Sequence, residues 1–351
     1  MLKIKVLIVD DSYFMRKLLR ELFSDVDDIE IIGEAKNGPD AIRMAAELEP
    51  DVITMDYNMP EMNGSEATAA IMRSEKHLPA IIMLSAATKN GAESTLDCLK
   101  AGAFDFIQKP SGELSFDIEK VKEELLDKVR IGAKARLRRH RDSGRRVEIK
   151  KIKRTKQEGA PQLIVVGSST GGPPAVEEII SHLPADLKVA ILIVQHMPEK
   201  FTKTFAERLN KLGAFKTKEA EEGDVISIGQ CLVAPGDYHM EVRVREGNFE
   251  RYIHLTKEVP LHGLRPAIDI TMKTVANNFS GGIMGIILTG MGVDGTDGMR
   301  AIFDRGGYTI AQDPVTAVID SMPSSVIKND LAKEVVPLDQ IASRIVQLSG
   351  R

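Results

Sequence analysis

The stretch Leu163-Ile-Val-Val-Gly-Ser-Ser-Thr-Gly-Gly-Pro-Pro174 decides how this chain is read. Four consecutive apolar residues closed by a glycine predict a strand buried on both faces, as in a parallel sheet. The glycines let the chain turn sharply, and the two prolines suit the first turn of a helix, where a missing N–H costs nothing. Ser169 then sits in a strand-to-helix turn at the carboxyl edge of a sheet. That position suits a nucleophile, a helix-capping hydroxyl or a phosphate ligand, and the turn alone leaves all three open. It matches neither a Walker A loop ending in Gly-Lys-Ser/Thr nor Gly-x-Gly-x-x-Gly.

Beyond the turn, Pro174–His182, Phe201–Leu212, Pro266–Asn278 and Gly295–Arg305 carry helical patterns. They alternate with apolar runs at Val189–Val194 and Ile283–Leu288, which predicts a doubly wound, mostly parallel α/β sheet. The β-branched runs Val225–Ile228, Cys231–Val233, His239–Val244 and Tyr252–Thr256 are broken at turns such as Gly247-Asn248. They are expected to form hairpins added to the sheet edge.

In such a sheet the loops after the strands share one edge, so Ser169, His196 and Asp294 fall together. A hydroxyl needs an imidazole to take its proton, and the imidazole needs a carboxylate to fix its tautomer. Rivals for the base are His239, His254 and His262, whereas His77, His140 and His182 read as surface residues. Rivals for the acid are Asp237, Asp269 and Asp297. Free amides at the helix start after Gly171 and Gly172, and in the second glycine turn Thr289-Gly-Met-Gly292, are suited to holding an oxyanion.

Residues 1–126 repeat the strand-helix alternation five times, from Ile4–Val9 to Ile118–Val129, which predicts a second doubly wound parallel sheet. Asp10, Asp11 and Asp56 follow its first and third strands and form an acidic pocket on one edge. Crowded carboxylates repel unless a hard cation such as Mg²⁺ binds, and Mg²⁺ also takes phosphoryl oxygens. Ser85 and Lys109, after the fourth and fifth strands, reach the same edge.

The chain of 351 residues is 43% hydrophobic, enough for two or three cores. Its 47 basic and 51 acidic residues are unevenly spread, because Lys128 to Lys156 holds fourteen Lys/Arg against Asp142 and Glu148. Residues 127–159 are therefore expected to be a basic, solvated tether between domains at 1–126 and 160–351. No apolar run approaches the ~20 residues of a membrane-spanning helix, and Cys98 and Cys231 lack metal-ligand spacing. A cytoplasmic protein without membrane insertion is expected.

The motifs Val9-Asp-Asp-Ser12, Met55-Asp-Tyr-Asn-Met-Pro60, Ser85-Ala86 and Gln108-Lys-Pro110 resemble those of response-regulator receivers. Val166-Gly-Ser-Ser-Thr-Gly-Gly-Pro173, Gln195-His-Met-Pro198, Ala234-Pro-Gly-Asp-Tyr-His239 and Ile287-Leu-Thr-Gly-Met-Gly-Val-Asp-Gly295 resemble the CheB family of chemotaxis methylesterases. The resemblance spans the chain from end to end. It implies a flavodoxin-like receiver and a Rossmann-like methylesterase domain.

By the same resemblance Asp56 is the phosphoacceptor, Asp10, Asp11 and Asp56 hold Mg²⁺, and Ser85 and Lys109 transmit the signal. Phe106 stands where many receivers carry a switch tyrosine, so coupling there runs through packing without a hydroxyl. In the second domain Ser169 is implied as nucleophile, His196 as base, Asp294 as orienting acid and the Met291 amide as part of the oxyanion pocket, with Thr170 a further oxyanion-site candidate; Ser168 is structural.

The implied reaction hydrolyses glutamate methyl esters on chemoreceptors, with a related deamidation of receptor glutamines. The esterase itself needs no cofactor, and the implied partners are methyl-accepting receptors and a histidine kinase. One stretch departs from the family pattern: Gly263-Leu-Arg-Pro-Ala-Ile-Asp269 lacks a histidine and a serine often found there, which bears on receptor-site preference. A receiver-linked nucleotide- or nucleic-acid-binding output module is the alternative; α/β alternation after residue 160, in place of a helix-turn-helix pattern, argues against direct contact with nucleic acid.

Overall fold

The computed structural model describes residues 3–73, 78–86, 88–109, 116–142, 160–247 and 249–350. Contacts divide the chain into two compact units, Met1–Arg145 and Arg146–Arg351.

The first unit runs β1 (Ile4–Val9), α1 (Tyr13–Ser24), β2 (Ile29–Ala35), α2 (Gly38–Leu48), β3 (Val52–Asp56) and α3 (Gly64–Met72). It continues with β4 (Ala80–Ser85), α4 (Lys89–Lys100), β5 (Asp105–Gln108) and α5 (Phe116–Asp142). The strands pair in parallel in the order β2-β1-β3-β4-β5, so the sheet reverses direction between β1 and β3. Val6 to Val9 are fully buried, as strands covered on both faces must be. Side-chain caps start the helices: Ser12 accepts from the amide of Met15, and Asn63 and Glu66 form a capping box on α3.

Helix α5 departs from the sequence expectation. Residues from 127 onward were expected to be tether, yet the helix continues to Asp142. Leu125, Val129, Ala133 and Ala135 are all buried on it. Apolar residues at helical spacing keep one face on the sheet, while the basic residues find acids on the domain: Arg130 pairs with Asp28 at 2.8 Å and Arg136 pairs with Asp51. Charge density had masked this stripe. The expected tether from 143 to 159 lies outside the described residues.

The second unit begins β6 (Pro161–Ser168), α6 (Gly172–His182), β7 (Ala190–Gln195), α7 (Phe201–Leu212), β8 (Lys216–Glu219) and β9 (Gln230–Val233). It goes on with β10 (His239–Val244), β11 (Arg251–Thr256), α8 (Ile268–Asn278), β12 (Gly282–Ile287) and α9 (Thr296–Asp304). It closes with β13 (Tyr308–Gln312), α10 (Ser321–Lys328), β14 (Glu334–Val336) and α11 (Leu338–Ser349). Seven parallel strands lie in the order β14-β13-β12-β6-β7-β9-β8. The reversal falls at β6, flanked by β12 on one side and β7 on the other.

The central β-rich stretch is arranged differently from the expected edge hairpins. Cys231–Val233 lies within the parallel sheet as part of β9, between β7 and the polar edge strand β8. Val225 makes only an isolated bridge to Tyr252. The one hairpin among the described residues, β10–β11, forms its own two-stranded sheet whose Met240, Val242 and Ile253 pack with Met272 and Val275 of α8. A hairpin with one apolar face can satisfy that face on a helix without joining a larger sheet.

The packing of α5 makes a test. Val129→Ala should destabilise the first unit by about 2 kcal/mol, as loss of a buried side chain does and loss of a tether residue does not; urea unfolding of wild type and variant measures it.

Candidate active site

Strand β6 ends at Ser168, and the backbone folds over at once. Gly172 N donates to Ser169 O at 2.7 Å, and Gly171 has φ 74° and ψ 1°. That is a type II turn, whose third position needs the positive φ glycine adopts without strain. The two serines are thereby told apart. Ser168 is fully buried and its hydroxyl donates to Gln195 Oε1 at 2.6 Å, whereas Ser169 is half-buried at the turn.

The second glycine turn closes on the first. A Cβ on Gly290 would lie 2.7 Å from Ser169 Cβ and 2.1 Å from Met322 Sδ, so only glycine lets residues 290–292 approach the serine. Thr289 joins the two turns: its carbonyl accepts from Ser169 N at 3.0 Å and its hydroxyl donates to Thr170 O at 2.9 Å. Gln312, buried at the end of β13, accepts from Thr289 N at 2.7 Å. Thr170 follows Ser169 in the first turn, and Met291, 37% exposed, follows Gly290 in the second.

His196 follows β7, and Asp294 follows β12. Their side chains meet, with His196 Nε2 at 2.8 Å from Asp294 Oδ2. Asp294 is 2% exposed and takes three more donors: Ile268 N at 2.7 Å, Asp269 N at 3.0 Å and Gly295 N at 2.9 Å. The first two are free amides of the first turn of α8, whose dipole also favours an anion. Burial pushes the Asp294 carboxyl up, but the hydrogen bond and charge of His196 and these amides outweigh it, and the group is held below the usual carboxylate range. His196 Nδ1 is buried and has no hydrogen-bond partner among the described residues.

Most of the rivals are occupied elsewhere, while His262 is exposed at a positive-φ turn position. His239 is fully buried between Val259 O and Ala267 N, His254 pairs with Glu222, and His182 pairs with Glu178 at the surface. Asp237 is bound by Arg265 and Lys257, and Asp297 by Lys273. His77 and the side chain of His140 lie outside the described residues. Asp269 accepts from Gly298 N at 2.6 Å and supplies the side-chain acceptor that the N-cap of α9, Gly295, lacks. Burial, with the nearby Asp294 charge, pushes it up to about 6.

Sequence reasoning assigned no role to Gln195, Thr289 or Gln312. Gln195 and Gln312 each end a buried strand with an amide, and that break in an apolar run is the signal that marks them.

In the first unit Asp10, Asp11 and Asp56 meet at the sheet reversal, with ligand oxygens within 4.8 Å of one another. Lys109 Nζ lies 2.9 Å from both Asp10 Oδ2 and Asp56 Oδ1. Burial raises the Asp56 carboxyl despite Lys109, and the neighbouring Asp10 adds to the rise. Burial pulls the Lys109 ammonium down, but Asp56 and Asp10 outweigh it and the net shift is upward. Three oxygen donors in this space fit a hard divalent cation. The Ser85 hydroxyl is turned to Gly91 O at 3.1 Å and accepts from Thr95 Oγ1 at 2.6 Å. Phe106 is buried, and Lys128 Nζ sits 5.5 Å from its ring centre and 2.5 Å from its carbonyl oxygen.

An α/β unit with serine, histidine and aspartate at its switch point, preceded by a sheet with an acid pocket, defines the class of a receiver-regulated hydrolase. The comparisons make this specific. Residues 164–345 match the CheB methylesterase family, and residues 6–117 match the response regulator receiver domain. A protein-glutamate methylesterase/protein-glutamine glutaminase of Pyrococcus horikoshii is 43% identical over 351 residues, covering 98% of this chain and 93% of its own. One of Methanococcus maripaludis is 43% identical over 371 residues, covering 100% and 99%. The Thermotoga maritima CheB methylesterase catalytic domain has a TM-score of 0.52 at 38% identity, covering 54% of this chain and 99% of its own. The chain belongs to the CheB methylesterase family and carries a response regulator receiver domain.

Asp269 yields a pH prediction. Its folded value lies above the ordinary 3.8, so the stability it contributes is complete below that pH and is lost as pH rises through about 6. Asp269→Asn keeps an oxygen for Gly298 N and removes this loss. Its stability relative to wild type should therefore climb between pH 4 and 6.5, by up to about 3 kcal/mol, and then level off. Urea unfolding of both proteins across that range measures the slope.

Proposed function

We propose that this chain is a phosphorylation-activated protein-glutamate methylesterase that works through Ser169, His196 and Asp294. The observation that carries the reading is the His196–Asp294 pair, anchored on the amides of α8, with a buried imidazole nitrogen left over at the sheet edge that bears Ser169. Asp294 accepts the Nε2 proton, so Nδ1 is the basic atom. Ser169 Oγ attacks the γ-carbonyl of a glutamate methyl ester and gives its proton to Nδ1. The oxyanion is held by the amides of Thr170 and Met291, worth about 3–4 kcal/mol each in comparable sites.

Collapse of the tetrahedral adduct breaks the C–OCH₃ bond, and the imidazolium protonates the leaving methoxide to methanol. His196 then takes a proton from water, which attacks the acyl-enzyme; the glutamate leaves as carboxylate and Ser169 regains its proton. A glutamine side chain follows the same path with ammonia as leaving group. Asp294, held below the usual range, stays ionised and stabilises the imidazolium throughout.

In the receiver, Asp56 accepts a phosphoryl group from a histidine kinase. Asp10, Asp11 and Asp56 are the residues that would hold Mg²⁺, which when bound neutralises charge on the transferring phosphoryl group. Lys109 pairs with that anionic group, and Ser85 and Phe106 relay the change. The substrates are the cytoplasmic, methyl-accepting segments of chemoreceptors. Cytoplasmic placement is supported by two buried, unpaired thiols that burial pushes up to about 12. No helix among the described residues is long and apolar enough to cross a membrane.

Methanol release from a methylated receptor fragment tests the chemistry. Ser169→Ala should lose at least about a thousandfold in rate, and undiminished release would exclude Ser169 as nucleophile. A small-molecule phosphodonor should stimulate wild type and fail to stimulate Asp56→Asn. Nitrogen NMR of the neutral His196 ring should show the proton on Nε2; a proton on Nδ1 would contradict the assigned basic atom.

A further inference from the structure

Gln195 is the last residue of β7 and pairs in register with Ser168, the last of β6. It is 2% exposed, and its amide is engaged at both ends. Oε1 accepts from Ser168 Oγ at 2.6 Å, while Nε2 donates to Ser169 O and to His196 O, each at 3.0 Å. Past this point one backbone bond remains, from His196 N to Ser168 O at 3.1 Å, before β6 folds into the type II turn and β7 opens into the loop carrying His196. One side chain therefore grips the backbone of the residue assigned as nucleophile and that of the residue assigned as base. A Cβ on Gly172 would lie 2.0 Å from Oε1, so the amide fills the space that glycine leaves.

The grip on Ser169 O has a consequence for catalysis. In a trans peptide the C=O of one residue and the N–H of the next point in opposite directions. A donor that holds Ser169 O therefore also sets the direction of the Thr170 amide. Gly172 N holds the same oxygen at 2.7 Å, but it belongs to the turn and moves with it, whereas Gln195 is fixed in the sheet.

We propose that Gln195 is a positioning residue of the esterase: it holds the Ser169 peptide so that the Thr170 amide faces the developing oxyanion, and it fixes Ser169 against His196. The inference rests on the assignment of Ser169 and His196 above. Gln195 touches no reacting atom. Its action is on geometry that matters only as the tetrahedral species forms, so its loss should fall on kcat and leave KM in place.

Two variants of similar size test this in the full-length protein. Gln195→Glu keeps an oxygen toward Ser168 but offers the two carbonyls no amide donor, and Gln195→Met offers no polar group. Methanol release from a short peptide carrying a glutamate methyl ester is measured, with the rate of phosphonylation by a fluorophosphonate alongside. Turnover is expressed per serine titrated at the fluorophosphonate end point, which removes any misfolded fraction from kcat. Both variants are expected to lose about 30- to 100-fold in kcat with KM within about threefold, and to react correspondingly slowly with the fluorophosphonate.

A kcat per titrated site within threefold of wild type in both variants would overturn the inference, as would a loss confined to KM. Ser169→Ala is run in parallel to separate the two assignments. If it retains turnover, the nucleophile assignment fails; if it is inactive while both Gln195 variants turn over normally, only the role of Gln195 fails.

Discussion

A buried carboxylate without donors is among the most costly things a fold can contain, and the catalytic unit is organised around one. Asp294 is 2% exposed and survives as an anion because three backbone amides and one imidazole point at it. Two of those amides exist only because α8 begins beside the end of β12. The requirement therefore fixes where α8 starts, and through Ile268, Met272 and Val275 it ties α8 into the core beneath the sheet. The fourth donor is His196, so the interaction that makes the carboxylate tolerable also sets the imidazole. Stability and chemistry share one contact.

The receiver meets a similar constraint with different means. Asp10 and Asp56 are buried beside each other at a sheet reversal, each with one backbone amide as donor, Ser12 N at 2.9 Å and Tyr57 N at 2.7 Å. A lysine reaches between them at 2.9 Å from each, and Asp56 remains raised despite it. A site left under-compensated in this way gains from a bound cation. The fully compensated Asp294 has no such demand, which fits an acid that orients and does not react.

Much of this was legible along the chain. The alternation of apolar runs with helical patterns gave both parallel sheets, and the strand-end rule brought Ser169, His196 and Asp294, and separately Asp10, Asp11 and Asp56, to shared edges. Errors arose where one signal hid another. Charge from Lys128 onward hid the apolar stripe at Leu125, Val129 and Ala133 that keeps α5 helical to Asp142. The polar composition of Lys216–Glu219 hid an edge strand, and β-branched runs around Cys231 read as hairpin although β9 is a parallel strand.

Sequence by itself determined the inventory: which strands end in a serine, a histidine or an acid, and where glycine permits a turn. It could do so because strand periodicity and turn chemistry are local, set by residues a few positions apart. Spacing alone left His196 and Asp294 each with three rivals until the family resemblance singled them out, and it gave Gln195 no role. Which of these groups are held was visible only in the tertiary structure, because each bond joins residues 25 or more positions apart: Ser168 is committed to Gln195, Asp237 to Arg265, Asp269 to Gly298, and Asp294 to His196. Which polar group is free to react depends on which others are already held, and that accounting closes only when the strands lie side by side.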